Sequence, residues 1–346
     1  MNPVESTTPE PTAAVPAVAD LSPQAFGRQV FLGALAADAI AMPVHWYYNQ
    51  SAIERDFGLI DCYHAPKPQH PDSILWRSEY RPLNERGDIL REQAEYWGRR
   101  GVHYHQFLKA GENTLNAQLA VELFEQVRRA GHYDPERWLD TYIEFMLTPG
   151  RHRDTYAEEY HRHFFTNYAS GRKPINCGVR DIHIGGLVQV PALVAALGPR
   201  HPELREIVQT HVALTHKDAD VLAAADVVVR ILAAVSRGAD LRETILDEAP
   251  AWISAAKLKK WEAAPDRIVI GGILSSACYI PDAFPAALFL AYRHAGRPAD
   301  GICSNAQCGG DSCHRGSVVG SLLGATAPLP ERLFTGLANA SRVTGD

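Results

Sequence analysis

Polar side chains that could move protons or hold a metal gather at a few helix starts in this 346-residue chain. Glu112-Asn113-Thr114 opens an apolar run, and Asp311-Ser312-Cys313-His314 follows the glycine pair Gly309-Gly310. Asp38 stands in the small, apolar run from Gly33 to Met42, and His45 follows Pro43. Carboxylates in a first helical turn are common caps, each stabilising by roughly 0.3–1 kcal/mol. The same groups can ligate a divalent ion or exchange protons with an imidazole near neutral pH. Asp311 and His314, spaced i and i+3, can face one cavity. Which use applies depends on whether the motifs meet in space.

Other candidates have plainer readings beside the chemical one. His105 ends His103-x-His105, whose rings share one side of an extended segment, as loop histidines or as a pocket lining. Trp46-Tyr47-Tyr48 follows His45 as core, or with Trp46 as a stacking wall for a planar ligand. Asp181-x-His183 precedes Gly185-Gly186. Cys303, Cys308 and Cys313 are spaced by five, unlike a zinc ribbon, and Cys313 stands out only by its place beside Asp311. The basic and aromatic stretch 151–173 is offset by Asp154, Glu158 and Glu159 and reads as a solvated helix. No nucleophile elbow, P-loop, dinucleotide fingerprint or H-E-x-x-H helix is present.

The elements that must position these residues read as helices. Ser22-Pro23 should cap a helix running from Gln24 to Met42 and ending at Pro43. A second helix should follow Thr114 and end near Gly131. Two more flank Thr215-His216, over 202–214 and 218–237, the latter apolar nearly all round and so expected at the centre. Pro281 and Pro285 bracket another helix start, and small residues over 312–325 suit close helix packing. Strand signals are scarce, so the expectation is an all-α, single-domain helical bundle. Residues 1–22, without Lys or Arg, read as a disordered tail before a domain spanning 23–346.

Composition narrows the partners. There are 34 Lys+Arg and 40 Asp+Glu, a net charge of −6, which leaves no electrostatic footprint for nucleic acid or an anionic membrane. Six cysteines are too few for a disulfide scaffold, and a reduced, cytoplasmic setting with a small-molecule substrate is expected.

The segment Gly33-Ala-Leu-Ala-Ala-Asp38-Ala-Ile-Ala-Met-Pro43-Val-His45 resembles the first-helix motif of the ADP-ribosylglycohydrolase family, Gly-Ala-x-x-Gly-Asp-Ala-x-Gly-x-Pro-x-Glu. Gly111-Glu112-Asn113-Thr114 falls where that family has Thr-Asp-Asp-Thr, and Gly310-Asp311-Ser312-Cys313-His314 where it has Gly-Asp-Thr-Asp-Thr. Leu214-Thr215-His216 resembles a further element, in the family's order. The resemblance implies an all-helical domain with a central cleft. That cleft usually holds two Mg²⁺ ions that orient an ADP-ribose unit for hydrolysis at its anomeric carbon.

Set beside that pattern, the chain has His45 for a glutamate, Glu112 and Asn113 for two aspartates, Cys313 for an aspartate and His314 for a threonine. Two carboxylates and an amide are a poor cage for two Mg²⁺ ions. Three uses remain open: one divalent ion, Mg²⁺ or with His and Cys more readily Zn²⁺, on Glu112 and Asp311; metal-free acid–base cleavage at a glycosidic-type carbon; or a nucleotide-binding pseudoenzyme. A different acid–base reaction, such as elimination, isomerisation or cyclisation, is the rival activity. Glu112, Asp311, His45 and His314 are the expected catalytic groups. Asp38, Asn113, Trp46, His105, Asp181, His183 and Cys313 are expected to bind substrate.

Overall fold

The computed structural model describes residues 21–345, so nearly all of the expected tail lies outside the described residues. The chain is all-α, and among the described residues only isolated bridges, no strands, accompany the helices. Eight helices position the site: α1 (Pro23–Ala41), α2 (Leu115–Ala130), α3 (Glu159–Ala169), α4 (Val190–Leu197), α5 (Ala219–Val235), α6 (Ile280–Arg293), α7 (Pro298–Gln307) and α8 (Ser312–Gly324).

Ser22 caps α1, its Oγ accepting from Ala25 N at 3.2 Å, with Pro23 at the first helical position. Pro43 ends it, as expected, in a single 3₁₀ turn over Met42–Val44. α1 lies along α8, and the seam is made by glycines. A methyl group added at Gly33 would sit 2.1 Å from the Gly320 carbonyl oxygen, and one at Gly320 equally close to that of Gly33. The backbones therefore touch, and every residue of α8 is buried. On another side of α1, Gly27 lies against Ala195 of α4 in the same manner.

α5 was expected at the centre because its sequence is apolar nearly all round. Instead Ala223 is exposed, and Asp226 and Arg230 form a half-buried outer stripe. Alanine fills both inner and outer positions there, so apolar composition overstated its burial. The centre belongs to α1 and α8, whose small residues allow the closest approach. The stretch 151–173 forms a helix only over α3, whose inner face buries Tyr160, His161, Phe164 and Phe165.

Candidate active site

The site forms where the end of α1 meets the start of α8. Gly309 and Gly310 adopt φ of +66° and +64°, and a side chain at Gly310 would collide with the Ser276 carbonyl, at 2.0 Å. This turn is pinned to the segment after α1: Trp46 N donates to Gly310 O (2.7 Å) and Gly310 N to Tyr47 O (2.6 Å). Trp46 itself takes φ +62°, an unusual conformation for a bulky residue. The clamp brings His45 against Asp311.

A buried chain of polar groups results. His45 Nε2 lies 2.9 Å from Asp311 Oδ1, and His45 Nδ1 lies 2.8 Å from His105 Nε2, the two rings being parallel within 5°. His105 Nδ1 is in turn hydrogen-bonded to Asp154. Both ends of this histidine pair face carboxylates, so both outer nitrogens donate. Burial pulls His45 down to about 3, with Asp311 acting against it.

Asp311 also holds His314, whose Nδ1 is hydrogen-bonded to Oδ2 at 3.1 Å and lies 2.9 Å from Oδ1. The far nitrogen of His314 lies 3.3 Å from Glu158 Oε1 and 2.8 Å from the Asn116 amide. Burial alone would lower His314, yet Asp311 and Glu158 together hold it well above its ordinary value. Glu158 is the mirror case: burial would raise it, and His314 holds it at about 2. The result is an imidazolium between two carboxylates. Asn116 Oδ1 accepts from Tyr160 Oη (2.6 Å) and lies 2.7 Å from His161 Nε2, with Nδ2 toward His314. Exchanging the amide's O and N lets Asn116 accept from the protonated His314 Nε2.

A cavity of about 360 Å³ opens over this pair, lined by Trp46, Tyr104, Tyr156, Glu158, Tyr160, His183 and His314 among others. Trp46 forms one wall. Its indole stacks on His45 at 3.9 Å, and Tyr104 and Tyr156 meet it edge-on at 4.8 and 5.1 Å. On the opposite side His183 Nδ1 lies 2.6 Å from Asp181 Oδ1. Burial lowers His183, but Asp181 more than offsets it and its value is raised.

Of the expected site residues, His314, Trp46 and His183 therefore line the cavity. His45, Asp311, His105 and Asp181 stand behind them, the first three buried out of reach of solvent. Glu112 is elsewhere. Its carboxylate accepts from Arg153 Nη2 at 2.5 Å and Lys109 N at 2.8 Å, in a separate polar groove of about 340 Å³ shared with Arg151, Asn339 and Arg342. The preceding Gly111, at φ +82°, packs under the Gly336 carbonyl and turns the chain so that Glu112 faces outward. Glu112 is thus corrected from catalytic group and metal ligand to a member of a salt-bridged groove.

Asp38 and Asn113 are corrected as well. Asp38 accepts from Asn113 Nδ2 (2.9 Å), Thr114 N (2.9 Å) and Thr114 Oγ1 (2.6 Å), all buried. Its carboxylate braces α1 to the start of α2 and has no access to the cavity. Cys313 points the same way, its thiol 3.5 Å from the Asp38 carbonyl. Sequence reasoning missed Glu158, Asn116, Asp154 and the tyrosines of the cavity. The one available signal was Glu158 and His161 at i, i+3 beside Tyr160, a carboxylate and imidazole on one helical face.

Comparison with known proteins accords with this architecture. A model of the ADP-ribosylglycohydrolase family matches residues 23–345. The chain belongs to the ADP-ribosylglycohydrolase family. A solved structure described as an ADP-ribosylglycohydrolase-related protein complex superposes with a TM-score of 0.62 at 20% identity, over 93% of this chain and 95% of that one. That likeness speaks for the shared fold. No curated protein sequence matches the chain significantly.

The family's two Mg²⁺ ions do not fit the groups present. Glu112 is turned away, Asn113 is spent on Asp38, and Cys313 offers a thiol where a hard ion needs oxygen. Of the two carboxylates at the family's ligand positions, Glu112 and Asp311, Asp311 is the one that meets the histidines. Two buried donor sets remain close together, His45–Asp311–His314 and His45–His105–Cys313, and their nitrogens would suit a zinc-type ion better than Mg²⁺. In both sets the imidazole nitrogens and the Asp311 carboxylate are already engaged with one another by hydrogen bonds.

Proposed function

We propose that this chain is a hydrolase of a glycosidic-type bond that works by side-chain acid–base chemistry, without the dinuclear Mg²⁺ centre of its family. His314 is the general acid: its imidazolium, at the cavity wall, gives its proton to the departing group as the bond at the anomeric carbon breaks. Glu158 stays ionised beside it. It stabilises the positive charge that develops on the sugar and accepts a proton from the water that adds to that carbon. Asp311 and His45 touch no substrate. They hold the His314 ring and its charge from behind, with His105 and Asp154 completing the buried chain.

The observation that carries this reading is the His314–Glu158 pair at 3.3 Å, on the wall of the cavity that Trp46 also lines. Incubation of the full chain with a panel of N- and O-glycosides, with and without chelator, tests it. Release of free sugar that survives EDTA and is lost in His314→Ala supports the reading. Activity that vanishes on chelation and returns with Mg²⁺ sinks it.

A further inference from the structure

We propose that the cavity takes a flat N-glycoside of nucleoside size that carries no phosphate, neutral or cationic in its ring, rather than an ADP-ribosyl group. This deepens the reading above and rests on it for the bond that is cleaved.

Charge is the first argument. Apart from tyrosines and Cys278, the ionisable groups on the cavity wall are Arg77, Glu158, Glu159, His183 and His314. His314 is balanced by Asp311 and His183 by Asp181, each through a direct ion pair. What is left is two carboxylates against one guanidinium. A diphosphate is held by clustered Arg or Lys and by free helix N-termini. Here the two helix starts beside the cavity already carry carboxylates, Glu158 before α3 and Asp311 before α8. A diphosphate would meet repulsion where it needs donors.

Shape and surface are the second. The volume of about 360 Å³ lies toward the small end of the roughly 300–1,000 Å³ typical of ligand sites. Its walls are aromatic: Trp46, Tyr104 and Tyr156 lie inside, and Tyr48 and Tyr279 stand half-exposed, at 49% and 51%, on its rim. Such faces hold a planar ring by stacking, and more strongly one that is cationic. Glu158 adds a negative charge at the same wall. A pyridinium or purine N-riboside satisfies these features. A purine leaves on taking the His314 proton as the C–N bond breaks, whereas a pyridinium leaves as the neutral pyridine, the bonding pair returning to its ring nitrogen. Glu158 activates the water in both cases.

The test is calorimetric titration of the full chain with nicotinamide riboside, adenosine, ADP-ribose and NAD⁺, with chromatography for released base. The two nucleosides should bind at least about tenfold more tightly than either diphosphate. Trp46→Ala should weaken nucleoside binding about tenfold. Glu159→Lys, at an exposed position that leaves folding alone, should raise ADP-ribose affinity several-fold by lifting the repulsion. Tighter binding of ADP-ribose or NAD⁺ than of the nucleosides overturns the proposed substrate class, even if those compounds are cleaved and the hydrolase reading stands. Nucleosides that bind but release no base support the ligand class and count against the hydrolase reading instead. Absence of nucleoside binding at millimolar concentration overturns the proposal outright.

Discussion

Asp311 holds His314 from one helical turn away: its Oδ2 is hydrogen-bonded to His314 Nδ1 at 3.1 Å, and its Oδ1 to His45 Nε2 at 2.9 Å. One carboxylate thus fixes two imidazoles, and the ring at the cavity wall is oriented, and with Glu158 held charged, by a residue buried behind it. Asp311→Asn keeps the size and removes the charge. Turnover should fall about 10²-fold, the scale of losing a positioned acid. The combined Asp311→Asn/His314→Ala variant should lose little more than His314→Ala alone, since the two act as a unit. Full additivity in that cycle would count against the arrangement.

Glu158→Gln tests the other side of the imidazolium. The amide cannot carry the negative charge, so kcat should drop about 10²-fold while KM moves little. His314 would also lose one of its two carboxylates, so the alkaline limb of the pH–rate profile should shift to lower pH. An unmoved limb would separate Glu158 from His314.

Glu112→Ala is the contrasting case. Its partner Arg153 is 44% exposed, and an exposed pair stabilises by about 0–1 kcal/mol. Turnover should stay within about twofold of the parent and thermal stability should change little. Loss of activity in this variant would return Glu112 to the site.

Stability should fall steeply on mild acidification. Burial pushes His45, His161 and His211 down to about 3, and His70 and His216 down to about 4. A histidine lowered in the folded state binds its proton more readily when unfolded, so its neutral form stabilises the fold above pH 6.5. That contribution is lost as the pH falls from 6.5 towards 4. Each such group gives a slope of up to about 1.4 kcal/mol per pH unit. His314 has the opposite sign: its raised value stabilises below pH 6.5 and fades as the pH rises past the folded-state value. Urea unfolding between pH 7.5 and 5 should therefore show net uptake of several protons. A flat profile would contradict the buried neutral histidines.

Gly320→Ala probes the seam between α1 and α8. With the Gly33 carbonyl 2.1 Å from the added methyl, the helices must part, at a cost of about 1–3 kcal/mol or more. His45 and Asp311 ride on the two sides of that seam, so kcat should fall along with Tm. An unchanged Tm would show that the helices can slide apart freely.

The helices were legible in the sequence because caps, prolines and glycines punctuate them locally. Ser22-Pro23, Pro43 and Gly131 each fall where a boundary is found. The layering was less legible: α5 is as apolar as α1, and only the glycine spacing of α1 and α8 says which pair packs closest. At the site, the motif positions announced which loops converge, but not which side chains face outward. Glu112 turns away because of a backbone conformation at Gly111 that no carboxylate pattern reveals. Glu158 was hidden because a helix N-terminus rich in charge looks the same whether it faces water or a cavity.

The seam also sets a schedule for biosynthesis. His45 and Asp311 are 266 residues apart, so at 5–20 residues per second the ribosome needs roughly 13–50 s to supply the second after the first. Throughout that interval α1, apolar on nearly every face, has no α8 to cover it. Contacts this distant in sequence also slow folding once the chain is complete. The nascent protein is therefore a candidate for chaperone attention, and the His45–Asp311 contact is among the last features it assembles.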